Sequence, residues 1–429
     1  MSSNPRNMRR SLVAGVVTTA ALVALAGCGG APASDQSSAA TFMTFETPAI
    51  TPEFWDDSIA AALESVPGFE VERIVTPDAD RNAYAKQLQA SGQFPDLLAS
   101  ISPKDFIDAD LLLPFEQEWL EANFLEPDAN SIDGVTYQPP SNSQVLPMVF
   151  YNKVIFEEHD VDLPTTWDEF VAAVETFSAG AVTPIELAGL DPWSASMPVV
   201  ALASADVLGS NPEWIQDRYD ESVSFTDEEF VSAMQKQRDL IEAGAYSDSA
   251  LSVDYATANT NFFDGKSAMY IMGSWLVGAF PADQAADFGA FPLPTDDGSV
   301  VVPLNVGGTM SVSSKAADAE KSMAFAKAWT LAPESMKTLI ETDGAFPLFK
   351  NIAFEDFGAT VTPLYDDAYA YVTEDTVKVS AFGWVTNDDA LPPGVADKFY
   401  SLSQSLFSNA DVEGQLAQLD ADWDAAVAE

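Results

Sequence analysis

The chain has 429 residues, 47% of them hydrophobic and 11% aromatic, which is ample material for a large core and, at this length, for two domains. Nineteen basic residues stand against 66 acidic ones, a net charge of −47, so nucleic acid is excluded as an expected partner and neutral or cationic ligands are favoured. A single Cys and a single His leave no disulfide and nothing from which to build a zinc site.

The first ten residues carry Arg6, Arg9 and Arg10 and no acid, and the stretch from Ser11 to Leu25 is uncharged. A basic segment before an apolar one is the pattern of a secretory signal. At about fifteen residues the apolar stretch is shorter than the roughly twenty a membrane-crossing helix needs, so residues 1–27 are expected to be removed. Leu25-Ala26-Gly27-Cys28 resembles the lipobox of bacterial lipoproteins, where small residues admit the processing peptidase and the thiol takes a diacylglyceryl group. A buried core cysteine is the plainer alternative, but the neighbouring Gly29 and Gly30 speak against it. The resemblance implies lipidation of Cys28, a flexible tether over residues 28–40 and a place on the extracellular face of the bacterial cell membrane. The shortened chain would keep 16 basic and 66 acidic residues, a net charge of −50.

Beyond the tether, Thr41–Phe45, Phe69–Val75 and Leu97–Ile101 read as strands. A helix is expected from Pro52, capped by Thr51, with Ile59, Leu63 and Val66 on one face. A second places Tyr84 and Leu88 one turn apart and stops at Gly92. Strands alternating with helices predict a parallel sheet covered by helices. Further on, Thr166 and Glu169 form a capping box ahead of Phe170, Val174 and Phe177, and Thr226 and Glu229 repeat it ahead of Phe230, Met234 and Ile241, with Gly244 closing that helix. Ala268–Met272 reads as a strand. The prolines from Pro292 to Pro303 mark a connection between units, and the chain from Ser314 on reads as mostly helical.

Seven segments, in order, resemble the extracellular solute-binding proteins of bacterial ABC importers, in particular the carbohydrate-type family 1 group: Tyr84 to Asp96, Leu112 to Phe115, Tyr151-Asn152-Lys153 with Phe156, Pro164 to Glu169, Phe263 to Met269, Gly273-Ser274-Trp275 and Gly344 to Pro347. The resemblance spans nearly all of the chain after the tether. It implies an α/β, two-lobe periplasmic-binding-protein-like fold of type II, each lobe a central β-sheet flanked by helices, with a hinge crossed more than once. It divides the chain into an N-terminal lobe of residues 41–150 plus about 300–345 and a C-terminal lobe of 151–299 plus about 346–429. It also implies a carbohydrate ligand, ABC permease subunits as partners and a monomeric state, with no cofactor.

A sugar presents hydroxyls to amides and carboxylates and a C–H face to aromatic rings, so its site needs both kinds of side chain. Trp275 matches the family position where an aromatic stacks on a sugar, the alternative being ordinary core packing. Trp193, beside the acceptor Asp191, and Trp384 fall where relatives place cleft aromatics. Glu46 after the first strand, Ser100 and Ser102 after the third, and Asn142 and Ser143 in a loop before Tyr151 lie in contact loops typical of the family, though each is also explained as a solvated or turn-capping residue. Gly307 and Gly308 would let backbone approach a ligand or serve a turn. Trp119, Trp167, Trp214, Trp329 and Trp423 sit on helical patterns and read as structural.

Catalytic signatures are weak by comparison. His159 reads as a loop residue with no G-x-S-x-G serine motif to serve. Asp420, Asp422 and Asp424 imitate the opening of a calcium loop, but Ala425 stands where its glycine is needed. Gly265-Lys266-Ser267 lacks the first glycine of a phosphate loop, whose place Thr260 takes. The expected activity is therefore capture of a mono- or oligosaccharide without bond breaking. A surface-anchored glycosidase, for which 66 acids supply chance carboxylate pairs, and a polyamine-type binding protein are the competing readings.

Overall fold

A computed structural model describes residues 39–428 apart from 48–49, 78–79, 181, 282–283, 309 and 375. The secretory segment, Cys28 and the tether up to Ser38 lie outside the described residues. In chain order the strands are β1 (Ala40–Thr44), β2 (Val71–Val75), β3 (Leu97–Ala99), β4 (Leu112–Leu113), β5 (Ser131–Ile132), β6 (Val135–Thr136), β7 (Pro140–Val145) and β8 (Met148–Asn152). They continue with β9 (Thr183–Glu186), β10 (Ser267–Met272), β11 (Phe288–Phe291), β12 (Val301–Gly308), β13 (Met310–Ser313), β14 (Phe346–Pro347) and β15 (Val377–Ser380).

Three sheets organise the chain. The first has the order β2-β1-β3-β13-β4; β1 pairs in parallel with β2 and β3, while β13 runs antiparallel to β3 and β4. The second, β11-β8-β10-β9, is built around β8, antiparallel to both β10 and β11. The third, β14-β7-β12-β15, joins the other two, because β7 leads through two residues into β8 of the second sheet and β12 leads into β13 of the first. The chain thus crosses between the two outer sheets more than once, through neighbouring, hydrogen-bonded strands. Such a pair can bend without breaking its ladder, as a hinge requires.

Local sequence accounts for the elements around these sheets. Thr51 Oγ1 accepts from the Phe54 amide ahead of the helix Pro52–Leu63, which turns Phe54, Trp55 and Ile59 inward. There Trp55 stacks on Trp329 at 6.1 Å and meets Phe42 edge-on at 5.5 Å; burying each such ring is worth roughly 1.5–3 kcal/mol. The capping box at Thr166 and Glu169 is present, and Phe170, Val174 and Phe177 of the helix Trp167–Ser178 are fully buried. The second expected box is not formed. The helix Glu228–Glu242 takes Asp227 as its N-cap, because Asp420 of the last helix captures both the amide and the hydroxyl of Thr226.

The acidic run near the end forms part of the helix Val412–Val427, and Asp420 and Asp424 there pair with Arg218. Asn142 and Ser143, expected in a loop, are strand residues of β7, and Gly307 and Gly308 belong to β12. All six residues of β7 are buried, so a polar sequence occupies a position where alternation gives no signal.

Candidate functional site

Three of the tryptophans singled out by sequence converge. Trp193 opens the short helix Pro192–Ala195, Trp275 follows β10, and Trp384 lies in the segment after β15. Their ring centroids are 6.4 Å apart for Trp193 and Trp275, 6.5 Å for Trp193 and Trp384, and 5.9 Å for Trp275 and Trp384. Tyr255 adds a ring 5.2 Å from Trp193, and Tyr400 one 5.4 Å from Trp384. All five are only partly buried, unlike Trp214, Trp329 and Trp423, which the core encloses. The Trp384 indole N–H has no hydrogen-bond partner among the described residues.

The position of each indole has a local cause. A Cβ on Gly273 would lie 2.3–2.5 Å from the six-membered ring of Trp275, so the ring folds back over a residue that must lack a side chain. Ser274 holds the same loop to the joining sheet: its amide donates to the Val145 carbonyl at 2.9 Å and its hydroxyl to the Gly344 carbonyl at 3.2 Å. Gly344, at φ +53°, ends the helix Pro333–Asp343 and approaches Ser274 so closely that a Cβ would sit 2.1 Å from its carbonyl oxygen. Trp193 is fixed by hydroxyls, Ser196 Oγ donating to its carbonyl and Ser194 Oγ to that of Ala188, both at 2.7 Å. Tyr400 Oη donates to the Gly383 carbonyl at 2.6 Å, anchoring the segment that carries Trp384.

Charged groups border the cluster. Asp343, the last residue of its helix, accepts from Gln144 Nε2 at 3.1 Å, and burial pushes its carboxyl up to about 7 against the pull of Gln144 and Arg81. Arg81 opens the helix Arg81–Ala90, and its guanidinium lies 4.3 Å from the centroid of the Phe45 ring. Burial lowers the pKa of Arg81, while the fields of Asp343, Tyr400 and Asp80 oppose that shift. The Tyr255 phenol is raised to about 12, again chiefly by burial.

The remaining expected residues are spread more widely. Asp191 borders Trp193 as the N-cap of its helix but makes no capping bond. Glu46 is taken up by Arg73, at 2.8 Å. Ser100, at φ 48°, follows β3, and the amide of Ser102 donates to Asn82. Asn142 donates to Ser141 at 3.1 Å, and the buried Ser143 hydroxyl has no partner among the described residues. Gly307 and Gly308 are explained by protein packing: a Cβ would fall 2.6 Å from Asn142 Oδ1 at the first and 2.3 Å from Gln138 Cβ at the second. His159 caps a helix, edge-on to Phe177. An open surface hollow of about 550 Å³ between Pro114, Met323 and Lys327 shares no residue with the indole cluster.

The model of the bacterial extracellular solute-binding proteins matches residues 58–362. The chain belongs to this family. An uncharacterized ABC transporter extracellular-binding protein of Pyrococcus horikoshii is 25% identical over 54% of this chain and 53% of its own length. A multiple sugar-binding protein of Streptococcus mutans is 25% identical over 70% of this chain and 72% of its own. The match thus spans between about half and three quarters of these curated relatives. A solved structure from work on xylan utilization by Caldanaerobius polysaccharolyticus superimposes with a TM-score of 0.76 at 22% identity, covering 90% of this chain and 99% of that one. The fold of this solute-binding protein is the two-lobe periplasmic-binding-protein fold.

Sequence reasoning missed Arg81, Asp343, Tyr255 and Tyr400, which carry no motif of their own. It also missed a bridge in this solute-binding protein between the segment after β3 and that after β15. Lys104 Nζ donates to Tyr219 Oη at 2.7 Å and to the Ala390 carbonyl at 3.0 Å, and Gln216 reaches Asp388 and Asp389.

Proposed function

We propose that this chain is the substrate-binding subunit of an ABC importer, closing two lobes around a mono- or oligosaccharide and handing it to a membrane permease. The observation that carries this reading is the convergence of Trp193, Trp275 and Trp384 from three separate segments onto one half-buried cluster. Partly exposed indoles grouped in this way offer flat apolar faces for the C–H faces of sugar rings, with Asp191, Asp343 and Gln144 as polar groups at the border. The name of the Streptococcus mutans relative supports the same ligand class.

In this reading the lobes comprise residues 41–150 with about 300–345, and 151–299 with about 346–429, and β7 and β12 form the hinge. Closure is stabilised only by the ligand's differential affinity for the closed state. The chain acts as a monomer without cofactor or bond breaking. A lipid on Cys28 and the tether keep it near the permease, raising the local concentration of captured sugar.

Thermal unfolding of the chain with a panel of neutral oligosaccharides and polyamines tests the proposal, because a ligand bound only by the folded form raises the midpoint. A rise with a sugar that is recovered intact is expected. A rise with polyamines alone, or release of cleaved sugar, would refute it.

A further inference from the structure

The segment that carries Trp384 runs from Ala381 to Leu391 after β15 and forms neither helix nor strand. Backbone of this kind has no ladder to fix it, so its course is set by the bonds it makes to its neighbours. Its entry is fixed beside β12: the Ala381 amide donates to the Leu304 carbonyl at 2.9 Å, the Phe382 amide donates to Ser204 Oγ at 3.1 Å, and the Gly383 carbonyl accepts from Tyr400 Oη. Its exit is held from two sides. Gln216 Nε2 donates to the Asp388 carbonyl and to Asp389 Oδ1, both at 3.1 Å, and Tyr219 Oη donates to the Ala390 carbonyl at 2.9 Å. From the other side Asn387 Nδ2 donates to the Ala129 carbonyl at 3.1 Å, Asp388 Oδ1 accepts from the Asp133 amide at 2.8 Å, and Lys104 Nζ donates to the Ala390 carbonyl at 3.0 Å.

These bonds sort along the proposed lobe division. Gln216 and Tyr219 fall in the same lobe as Trp384, whereas Lys104, Ala129 and Asp133 fall in the other. Lys104 joins the two sets directly, since its Nζ also donates to Tyr219 Oη at 2.7 Å and lies 4.5 Å from the centroid of that ring. The turn at the exit moves as a unit, because Asn387 closes it: its Oδ1 accepts from the Asp389 amide at 3.0 Å and its carbonyl from the Ala390 amide at 2.9 Å. Trp384 stands just ahead of that turn. The ring has no polar anchor of its own, as its indole N–H and the neighbouring Thr386 hydroxyl make no hydrogen bond among the described residues. Its place against Trp193 and Trp275 therefore follows from packing and from the path of the segment.

We infer that Lys104 and Asn387 are positioning residues for Trp384: they tie the segment of the third indole to the opposite lobe, so that the aromatic platform is complete while the lobes are joined and loosens when they part. This rests on the carbohydrate reading of the indoles and on the lobe division, and it adds a route for release. Opening the lobes removes the contacts of the opposite lobe and, in the same movement, weakens the aromatic face. The coupling is reciprocal, so a sugar lying on Trp384 strengthens the bonds made by Lys104 and Asn387.

Two variants remove cross-lobe bonds with little change of shape. Lys104→Met keeps an unbranched side chain and loses the ammonium; Asn387→Asp keeps the acceptor for the Asp389 amide and loses the donor to Ala129. Circular dichroism of the ligand-free chain reads the coupling between neighbouring indoles. Trp384→Phe gives the share of that signal that belongs to Trp384, because the stacked Trp55 and Trp329 contribute as well. Each positioning variant, verified as folded by its thermal transition, should lose part of the Trp384 share, and Lys104→Arg should regain it. In titration calorimetry each should weaken sugar binding by about two- to twelvefold in the otherwise unaltered chain, the size of one hydrogen bond, and by less than about twofold in a Trp384→Ala background. An unchanged Trp384 share, or the same loss of affinity in both backgrounds, would overturn the inference while leaving carbohydrate capture intact. Failure of every sugar to bind would overturn carbohydrate capture, and the spectrum, which needs no ligand, would still decide what positions Trp384.

Discussion

Replacing Gly273 by alanine perturbs the candidate site through a single methyl group. The added Cβ would stand 2.3 Å from Cζ3 and 2.5 Å from Cε3 and Cη2 of Trp275, whereas ordinary van der Waals contact begins near 3.4 Å. The ring must therefore move by roughly 1 Å, since the neighbouring backbone is held at Ser274 by its bonds to Val145 and Gly344. Gly273 is not in the left-handed region, so alanine costs nothing in backbone strain and removes some freedom from the unfolded chain. Crowding should cost about 1–3 kcal/mol of stability. Loss of one well-aligned aromatic face, worth about 0.5–1.5 kcal/mol, should weaken sugar binding by about two- to twelvefold. Calorimetry with the best sugar from the thermal panel reads the affinity, and the indole emission spectrum reads the displaced ring. A folded variant with shifted emission and unchanged affinity would refute Trp275 as a sugar platform.

Stability should fall as pH rises through the neutral range. Burial raises the carboxyls of Asp343, to about 7, and of Asp105, Glu186, Asp206 and Asp397, so the folded form holds more protons than the unfolded one between about pH 4 and 7. Their protonation stabilises the fold below that window, and the thermal midpoint should therefore rise from pH 8 to pH 5.5; Asp343→Asn should flatten the slope, and a midpoint independent of pH would contradict this. Lys104→Met removes the bonds to Tyr219 and Ala390, and at about 1–2 kcal/mol it should enlarge the ligand-free radius of gyration in small-angle scattering and weaken binding severalfold; unchanged scattering would show that the bridge does not hold the lobes. Cys28→Ser should bind ligand normally yet appear in the soluble fraction of cells, and retention in the membrane would dismiss the lipid anchor.

The elements with strong local signals were legible. Thr166 and Glu169 cap their helix as the spacing implies, and Gly273-Ser274-Trp275 announces an aromatic immediately after a strand. Thr226 looks like a cap in sequence but is not one, because its amide and hydroxyl are claimed by Asp420, a partner 194 residues away that no local pattern reveals. Asn142 and Ser143 read as loop residues from sequence because β7 is polar yet buried throughout, so its alternation is silent. Gly307 and Gly308 were recognised as special, but the reason is the packing of Asn142 and Gln138 against them. Arg81 and Asp343 were invisible for a different reason. Their burial is acquired only when distant segments meet, a property of the folded chain alone.

A crystal structure of the chain with the sugar that most raises its thermal midpoint tests carbohydrate capture most directly. An intact sugar is expected between the lobes, with ring faces against Trp193, Trp275 and Trp384. Sugar density elsewhere on the surface, or a cleaved product in the cleft, would contradict it.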